Sequence, residues 1–154
     1  MDERELLRVS IINEMGHLVF DSIIQPTKQI KYVPLYNMYL YDPSFGIPLK
    51  YLVVVLNQIF DKKIVVGYQM NKLLEILNLS SIYQTRDIMV SDEIGSKQTA
   101  ANLAKTFFDI NIDPYFRSTI TEARLYMALY KNFQSEIDDN YLKYALSDSP
   151  IKQE

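Results

Sequence analysis

A single histidine, His17, and no cysteine are all that this 154-residue chain offers to soft-metal or thiol chemistry. A polyhistidine centre needs several imidazoles and a zinc knuckle needs thiolates, so both are excluded, as is a disulfide framework. What remains is oxygen chemistry from nineteen Asp and Glu side chains. The acidic stretch "SEIDDN", 135 to 140, has nothing of the spacing of a calcium loop. "YFRSTITEARLYMALY", 115 to 130, is more suggestive. It reads as a helix entered through a turn, with Ser118 or Thr119 as N-cap and Glu122 three to four residues on, at capping-box spacing.

The elements that would position such a site must come from one domain. Apolar residues make up 48% and charged residues 23%, which suits a folded globular chain long enough to bury a core. The net charge is −3 and no dense Lys/Arg block is present, which argues against strong nucleic-acid binding by the domain alone. The longest apolar run, "YLVVVLNQIF" at 51 to 60, is too short and too interrupted to span a bilayer, so no membrane partner is expected. "MDERELLR" lacks the apolar core of a signal peptide. These features predict an intracellular soluble protein.

Two apolar β-branched runs flank "NEMG" in "RVSIINEMGHLVFDSIIQP", which is hairpin chemistry with Gly16 free to take positive φ. "YVPLYNMYLYDPSFGIP", 32 to 48, concentrates tyrosines and prolines and reads as an aromatic-lined loop. Tyr32, Tyr36, Tyr39 and Tyr41 cover a sheet edge there or, if exposed, offer an interface. "PLKYLVVVLNQIFDKK" has Pro48 near its start and apolar residues at helical spacing, with a strand through Val53 to Val55 as the competing reading. Next come a strand in "KIVVGYQ", a helix in "MNKLLEILNL", a strand in "IYQTRDIMV", a helix in "KQTAANLAKTFF", a connector, and the long helix over 119 to 134. Beyond Phe133 the pattern supports at most a turn or two before a polar tail. A strand pair followed by alternating helices and strands predicts an α/β domain with a mixed sheet over residues 1 to 134, then a helical extension and tail over 135 to 154.

"RVSIINEMGHLVFDSIIQPTKQI", "KIVVGYQMNKLLEILNL", "TRDI" and "RSTITEARLYMALY" occur in an order and at spacings that resemble the DEDDh 3′–5′ exonucleases, in particular their eukaryotic RNA-exonuclease (Rex-type) branch. The resemblance covers roughly residues 4 to 133. It implies an RNase H-like fold, a central mixed sheet flanked by helices. It also implies phosphodiester hydrolysis by two divalent ions held on four carboxylates, with a histidine helping to activate water.

The implied site residues differ from the family pattern. The first family motif, an Asp-x-Glu strand, precedes the stretch matching "RVSIIN". Here Asp2 and Glu3 are adjacent, and adjacent strand residues point to opposite faces. At the second motif Tyr68 stands at the histidine position and Leu73 at the aspartate position. At the third, Arg117 stands at the histidine position, Thr121 at the glutamate position and Glu122 at the aspartate position. Leucine cannot ligate a metal and arginine stays protonated. Asp87, in "TRDI", fits the family pattern but lies outside its metal-binding four. The family also places the Asp-x-Glu strand mid-sheet, between the strands matching "RVSIIN" and "KIVVG". Without it those strands must pair directly, or a partner, a second copy or upstream sequence must fill the gap.

The expectation is therefore a degenerate, catalytically inactive exonuclease-like module with no catalytic residue, no metal and no cofactor, acting through a protein partner by strand completion or as a homo-oligomer. It would belong to an RNA-related complex, with a nuclear setting by analogy. The alternatives are a working Mg- or Mn-dependent exonuclease completed by upstream sequence or a partner chain, and a weak non-catalytic nucleic-acid binder. For the last, the candidate basic path is Lys62, Lys63, Lys72, Arg86 and Arg117.

Overall fold

Among the described residues the strands form two small two-stranded sheets. The structure, a computed structural model, describes residues 6–27, 42–79, 84–95, 98–113 and 118–146. Arg117 and the four tyrosines Tyr32, Tyr36, Tyr39 and Tyr41 lie outside the described residues.

Strands β1 (Arg8–Ile12) and β2 (Leu18–Ile23) form the expected antiparallel hairpin, with Ser10 opposite Asp21 and a register shift between Ile11 and Ile12. The turn works for two local reasons. Gly16 adopts φ +83°, which is costly for a side chain with a Cβ. The Asn13 side chain accepts from the backbone N–H of Met15 and of His17, each at 3.0 Å. After β2, Ile24 makes a parallel bridge with Ile47, which ties the hairpin to the start of helix α1 (Leu49–Phe60). Gly46 is needed there, since a Cβ would sit 2.9 Å from the backbone nitrogen of Gln25. Helix α1 resolves the helix-or-strand ambiguity. Pro48 precedes it at φ −60°, and Leu52, Leu56 and Phe60 bury one stripe at four-residue spacing.

Strand β3 (Ile64–Gly67) pairs in parallel with β4 (Gln84–Asp87), and the crossover between them contains helix α2 (Met70–Ile76). A short 3-10 turn, Ile88–Val90, follows β4. Helix α3 (Ala100–Phe108) starts at Thr99, whose hydroxyl accepts from the Asn102 N–H, and helix α4 (Thr119–Asn132) starts at Ser118. Helix α5 (Gln134–Leu146) is much longer than its sequence pattern predicts. Its apolar stripe is thin, and tertiary contacts supply what periodicity lacks. Ile137 is fully buried, and Asp138 pairs with Arg86 of β4 at 2.6 Å.

Two apolar clusters lie on opposite sides of the strand layer. One gathers Leu52, Leu56 and Phe60 of α1 with Leu74, Leu77 and Leu79, and takes Val9, Ile11 and Val65 from the strands. The other joins Leu103, Leu125, Leu129, Tyr130 and Ile137 with Ile88 and Ile94, and takes Val66 and Tyr68. Helix α4 packs across both β1 and β3, whereas α5 packs on β4. The strand layer therefore runs β2, β1, β3, β4, with β1 and β3 innermost. Among the described residues β1 pairs only with β2 and β3 only with β4, so the direct pairing that would close the sheet is not made.

The two ends of α5 give a clean contrast. Ile137→Ala is expected to cost about 3 kcal/mol in urea unfolding, because it opens a cavity in a closed cluster. Leu142, 58% exposed, should tolerate alanine within about 0.5 kcal/mol. Equal costs would show that α5 does not dock through Ile137.

Candidate functional site

The turn between β3 and α2 carries Tyr68 and leads to Leu73, the positions of the second motif. Gly67 ends β3 where a Cβ would lie 2.2 Å from the Met70 sulfur, so a larger residue would displace the Met70 side chain. Gln69 then takes a left-handed conformation, φ 56°. That turn is held by Asp87, only 3% exposed, at the end of β4. Its carboxylate accepts from the backbone N–H of Gln69 at 3.0 Å, Met70 at 2.7 Å and Met89 at 3.1 Å. The Asp87 N–H itself donates to the Tyr141 hydroxyl at 2.7 Å. Burial raises the Asp87 pKa and outweighs the three amide donors, which act to lower it.

Tyr68 follows Gly67 and is fully engaged. Its hydroxyl accepts from the Gln98 N–H at 3.1 Å and donates to the Gly95 carbonyl at 3.2 Å, while its ring stacks on Tyr126 of α4, centroids 5.6 Å apart. Leu73 is half-buried on α2 and packs into the α1-side cluster.

The N-terminal turn of α4 carries Thr121 and Glu122, positions of the third motif. Ser118 is the cap: its hydroxyl accepts from the Thr121 N–H at 3.3 Å, and its carbonyl accepts from the Glu122 N–H at 2.9 Å. Thr121, not Glu122, therefore occupies the capping-box position. Thr119, the other cap candidate, lies inside the helix, where its hydroxyl bonds the Ser10 hydroxyl. Ser10 in turn donates to Asp21 at 2.7 Å, and Asp21 takes a bidentate pair from Arg8 at 3.0 and 2.6 Å. The Arg8 guanidinium holds the Asp21 carboxyl below its ordinary value of 3.8. Thr121 is exposed and Glu122 half-buried. Glu122 lies one turn before Tyr126, the ring on which Tyr68 stacks, on the same face of α4.

Among the described residues no three Asp, Glu or His side chains converge on one point. A pair of hard divalent ions needs several charged oxygen ligands. Of the positions that the resemblance assigns, Tyr68, Leu73, Thr121 and Glu122 supply one carboxylate between them, so this donor set does not fit two metals.

A second polar network went unread in the sequence because its members lie far apart in the chain. Arg86 donates to Asp138, 52 residues on, and lies over the Tyr141 ring at 4.9 Å from the centroid. Tyr130 donates to the same carboxylate at 3.0 Å. Burial pushes the Asp138 pKa up, but the hydrogen bonds from Arg86, Tyr130 and Gln134 together bring it below the usual value. Arg86 is thus committed to α5 docking, while Lys62, Lys63 and Lys72 are exposed. The candidate basic path loses a member.

Comparison with known proteins supports the exonuclease resemblance. No protein-family model matches the chain. RNA exonuclease 4 of Candida albicans is 27% identical over 147 residues, covering 90% of this chain and 52% of that protein. The chain thus spans about half the length of the curated relative it matches. The Saccharomyces cerevisiae apo Pan2 pseudoubiquitin hydrolase–RNA exonuclease module, solved with AAUUAA RNA, superposes with a TM-score of 0.65 at 19% identity, covering 93% of this chain and 26% of that one. The Neurospora crassa Pan2 catalytic unit, which holds protease and nuclease domains, gives a TM-score of 0.61 at 16% identity, covering 93% and 27%. The fold is therefore the RNase H-like α/β fold of exonuclease domains. Among the described residues no helix is long and apolar enough to cross a membrane.

Removing the Asp87 carboxylate should strand three amides, that of the buried Met70 among them. Asp87→Ala is expected to cost on the order of 3 kcal/mol in chemical denaturation, and a neutral result would mean water replaces the carboxylate. Asp21 gives a pH signature. Its folded pKa lies below 3.8, so its contribution is present above that value and lost as pH falls through the folded value. Melting curves from about pH 5 to about pH 2 should fall less steeply in Asp21→Asn than in the parent chain; identical slopes would remove the Arg8 pair from the account.

Proposed function

We propose, for a chain with the exonuclease fold and a sequence relationship to RNA exonuclease 4, that metal-dependent hydrolysis is lost and that the domain serves as a protein-interaction module of an RNA-handling complex. The observation that carries this reading is Leu73. It stands where the resemblance places a metal-binding aspartate, and its side chain is spent in the α1-side cluster. A leucine there cannot be recruited as a ligand by a small rearrangement. Tyr68, at the histidine position, supports the same reading, because both hydrogen bonds of its hydroxyl tie the loop carrying Gly95 and Gln98.

The interaction role is supported by apolar side chains left on the surface. Met15, Leu18 and Val19 are 71, 49 and 50% exposed at the hairpin tip. Tyr51 and Val54, at 57 and 54%, form a second patch on the outer face of α1. Clustered exposed apolar residues mark interfaces more often than single ones do. The RNA setting comes from the names of the similar proteins, and the committed state of Arg86 counts against the third reading, a bare nucleic-acid binder.

The test is calorimetric titration of the folded chain with Mg²⁺ and Mn²⁺, beside a gel assay on 3′-labelled and 5′-labelled single-stranded RNA. The proposal expects no binding heat and intact RNA. Metal binding with stepwise shortening from the 3′ end would overturn it and would mean that carboxylates from elsewhere complete the centre.

A further inference from the structure

Nothing in the local sequence ends α4 where α5 begins. The junction reads "YKNFQSEI", 130 to 137, with neither proline nor glycine, the residues that ordinarily kink a helix. Phe133 alone falls outside both helices, at φ −114° and ψ 19°. The chain turns there. Tyr130 donates to Asp138 at 3.0 Å, whereas a tyrosine on a straight helix leans toward the N-terminus, away from a residue about 12 Å ahead.

The surface on which α5 docks imposes that turn. Asp138 accepts from Arg86 at 2.6 Å, the Tyr141 hydroxyl accepts from the Asp87 N–H at 2.7 Å, and Glu136 accepts from the Ser91 hydroxyl and the Asp92 N–H, each at 3.0 Å. Ile137 is fully buried beside them. Phe133 itself stays anchored, its ring edge-on to Phe107 of α3 at 5.3 Å, and so can act as a pivot. The bonds from Phe133 N–H to Leu129 and from Ile137 N–H to Phe133 already have helical spacing. A continuous helix keeps both, and it sets the Gln134 and Glu136 N–H groups on the Tyr130 and Asn132 carbonyls. Lys131 and Asn132 are exposed, so the last turn of α4 is open to solvent.

We propose that α5 is an exchangeable arm: the chain straightens at Phe133, and α5 docks on residues 86 to 92 of a second copy of this chain. A released arm leaves Ile137 bare, and thirteen residues make a marginal helix in water. The open form therefore needs a surface, and the surface that carries the matching groups is the one α5 has left, on another copy. Each copy gives its α5 to the other. Asp138 of one then meets Arg86 and Tyr130 of the other, so both sites repeat the contacts of the closed monomer and the exchange ends at two copies. Because the contacts are the same in both forms, concentration sets the balance between them. This inference goes beyond the preceding proposal and does not depend on it.

Two charge variants test the exchange. Arg86→Glu and Asp138→Arg each set like charges together in the closed monomer. Each alone should elute as a monomer in size-exclusion chromatography, with the Ile137 amide exchanging at least about tenfold faster than in the parent chain. In an exchanged pair of the two, one site joins both substituted side chains, now of opposite charge, and the other keeps the original Arg86 and Asp138. The mixture should therefore elute as a dimer and regain protection at Ile137. Ser135→Pro, tolerated in the first turn of a helix but not inside a continuous one, should return the mixture to monomers when placed in both chains. If a charge variant does not fold, the parent chain and Ser135→Pro alone decide. Held concentrated in mild denaturant and returned to buffer, the parent chain should elute in part as a dimer and Ser135→Pro as a monomer. A mixture that stays monomeric, dimers that survive Ser135→Pro, or, in the second experiment, a parent chain without dimer would each overturn the proposal. None of these readouts involves metal or RNA, so a chain that cleaves RNA yet exchanges α5 defeats only the preceding proposal.

Discussion

Helix α4 is the constraint on which the rest of the structure depends. The strands supply only two separate pairs among the described residues, and a two-stranded sheet is marginal by itself. Helix α4 spans both inner strands, buries Leu129 completely and closes Leu125 and Tyr130 against the core. It is also pinned along its length to the hairpin. Thr119 meets Ser10, Arg124 donates to the Gly16 carbonyl at 3.0 Å, and Lys131 donates to the Glu14 carbonyl at 2.6 Å. One helix therefore does what strand-to-strand hydrogen bonds do in a closed sheet.

The second half of the molecule is organised by Asp87. A carboxylate with three backbone donors fixes the turn from β3 into α2, and the Asp87 N–H on Tyr141 ties the same point to α5. Tyr68 emerges from that turn and reaches α4 through Tyr126. Tyr68 and Leu73, at two of the positions of an exonuclease centre, thus have structural partners of their own. On the proposed reading, these residues are kept because they hold the fold together, not because they hold metal.

Much of this was legible in the sequence. The hairpin around Gly16 and the short strand ending at Gly67 are local signals found where their residues place them, and of the open alternatives the helix after Pro48 and the cap at Ser118, rather than Thr119, are the ones formed. The collinear stretches pointed to the exonuclease fold, which the structural comparison bears out. Two features were not legible. Helix α5 has too thin an apolar stripe to announce itself, and its docking depends on Arg86 meeting Asp138 across 52 residues of sequence. The state of the strand layer was open as well, because pattern identifies strands without saying which of their edges meet. Gly67 and Asp87 stood in quoted motifs, but only the fold shows that one makes room for Met70 and the other holds the turn beside it.

The most direct measurement is a search for cross-strand nuclear Overhauser effects in the labelled chain. The account predicts strong backbone contacts between Ser10 and Asp21 and between Val66 and Arg86, the partners seen here, and none between Ser10 and Val66. A backbone contact from β1 to β3 would show that the two pairs join into one sheet, and the role assigned to α4 would be wrong.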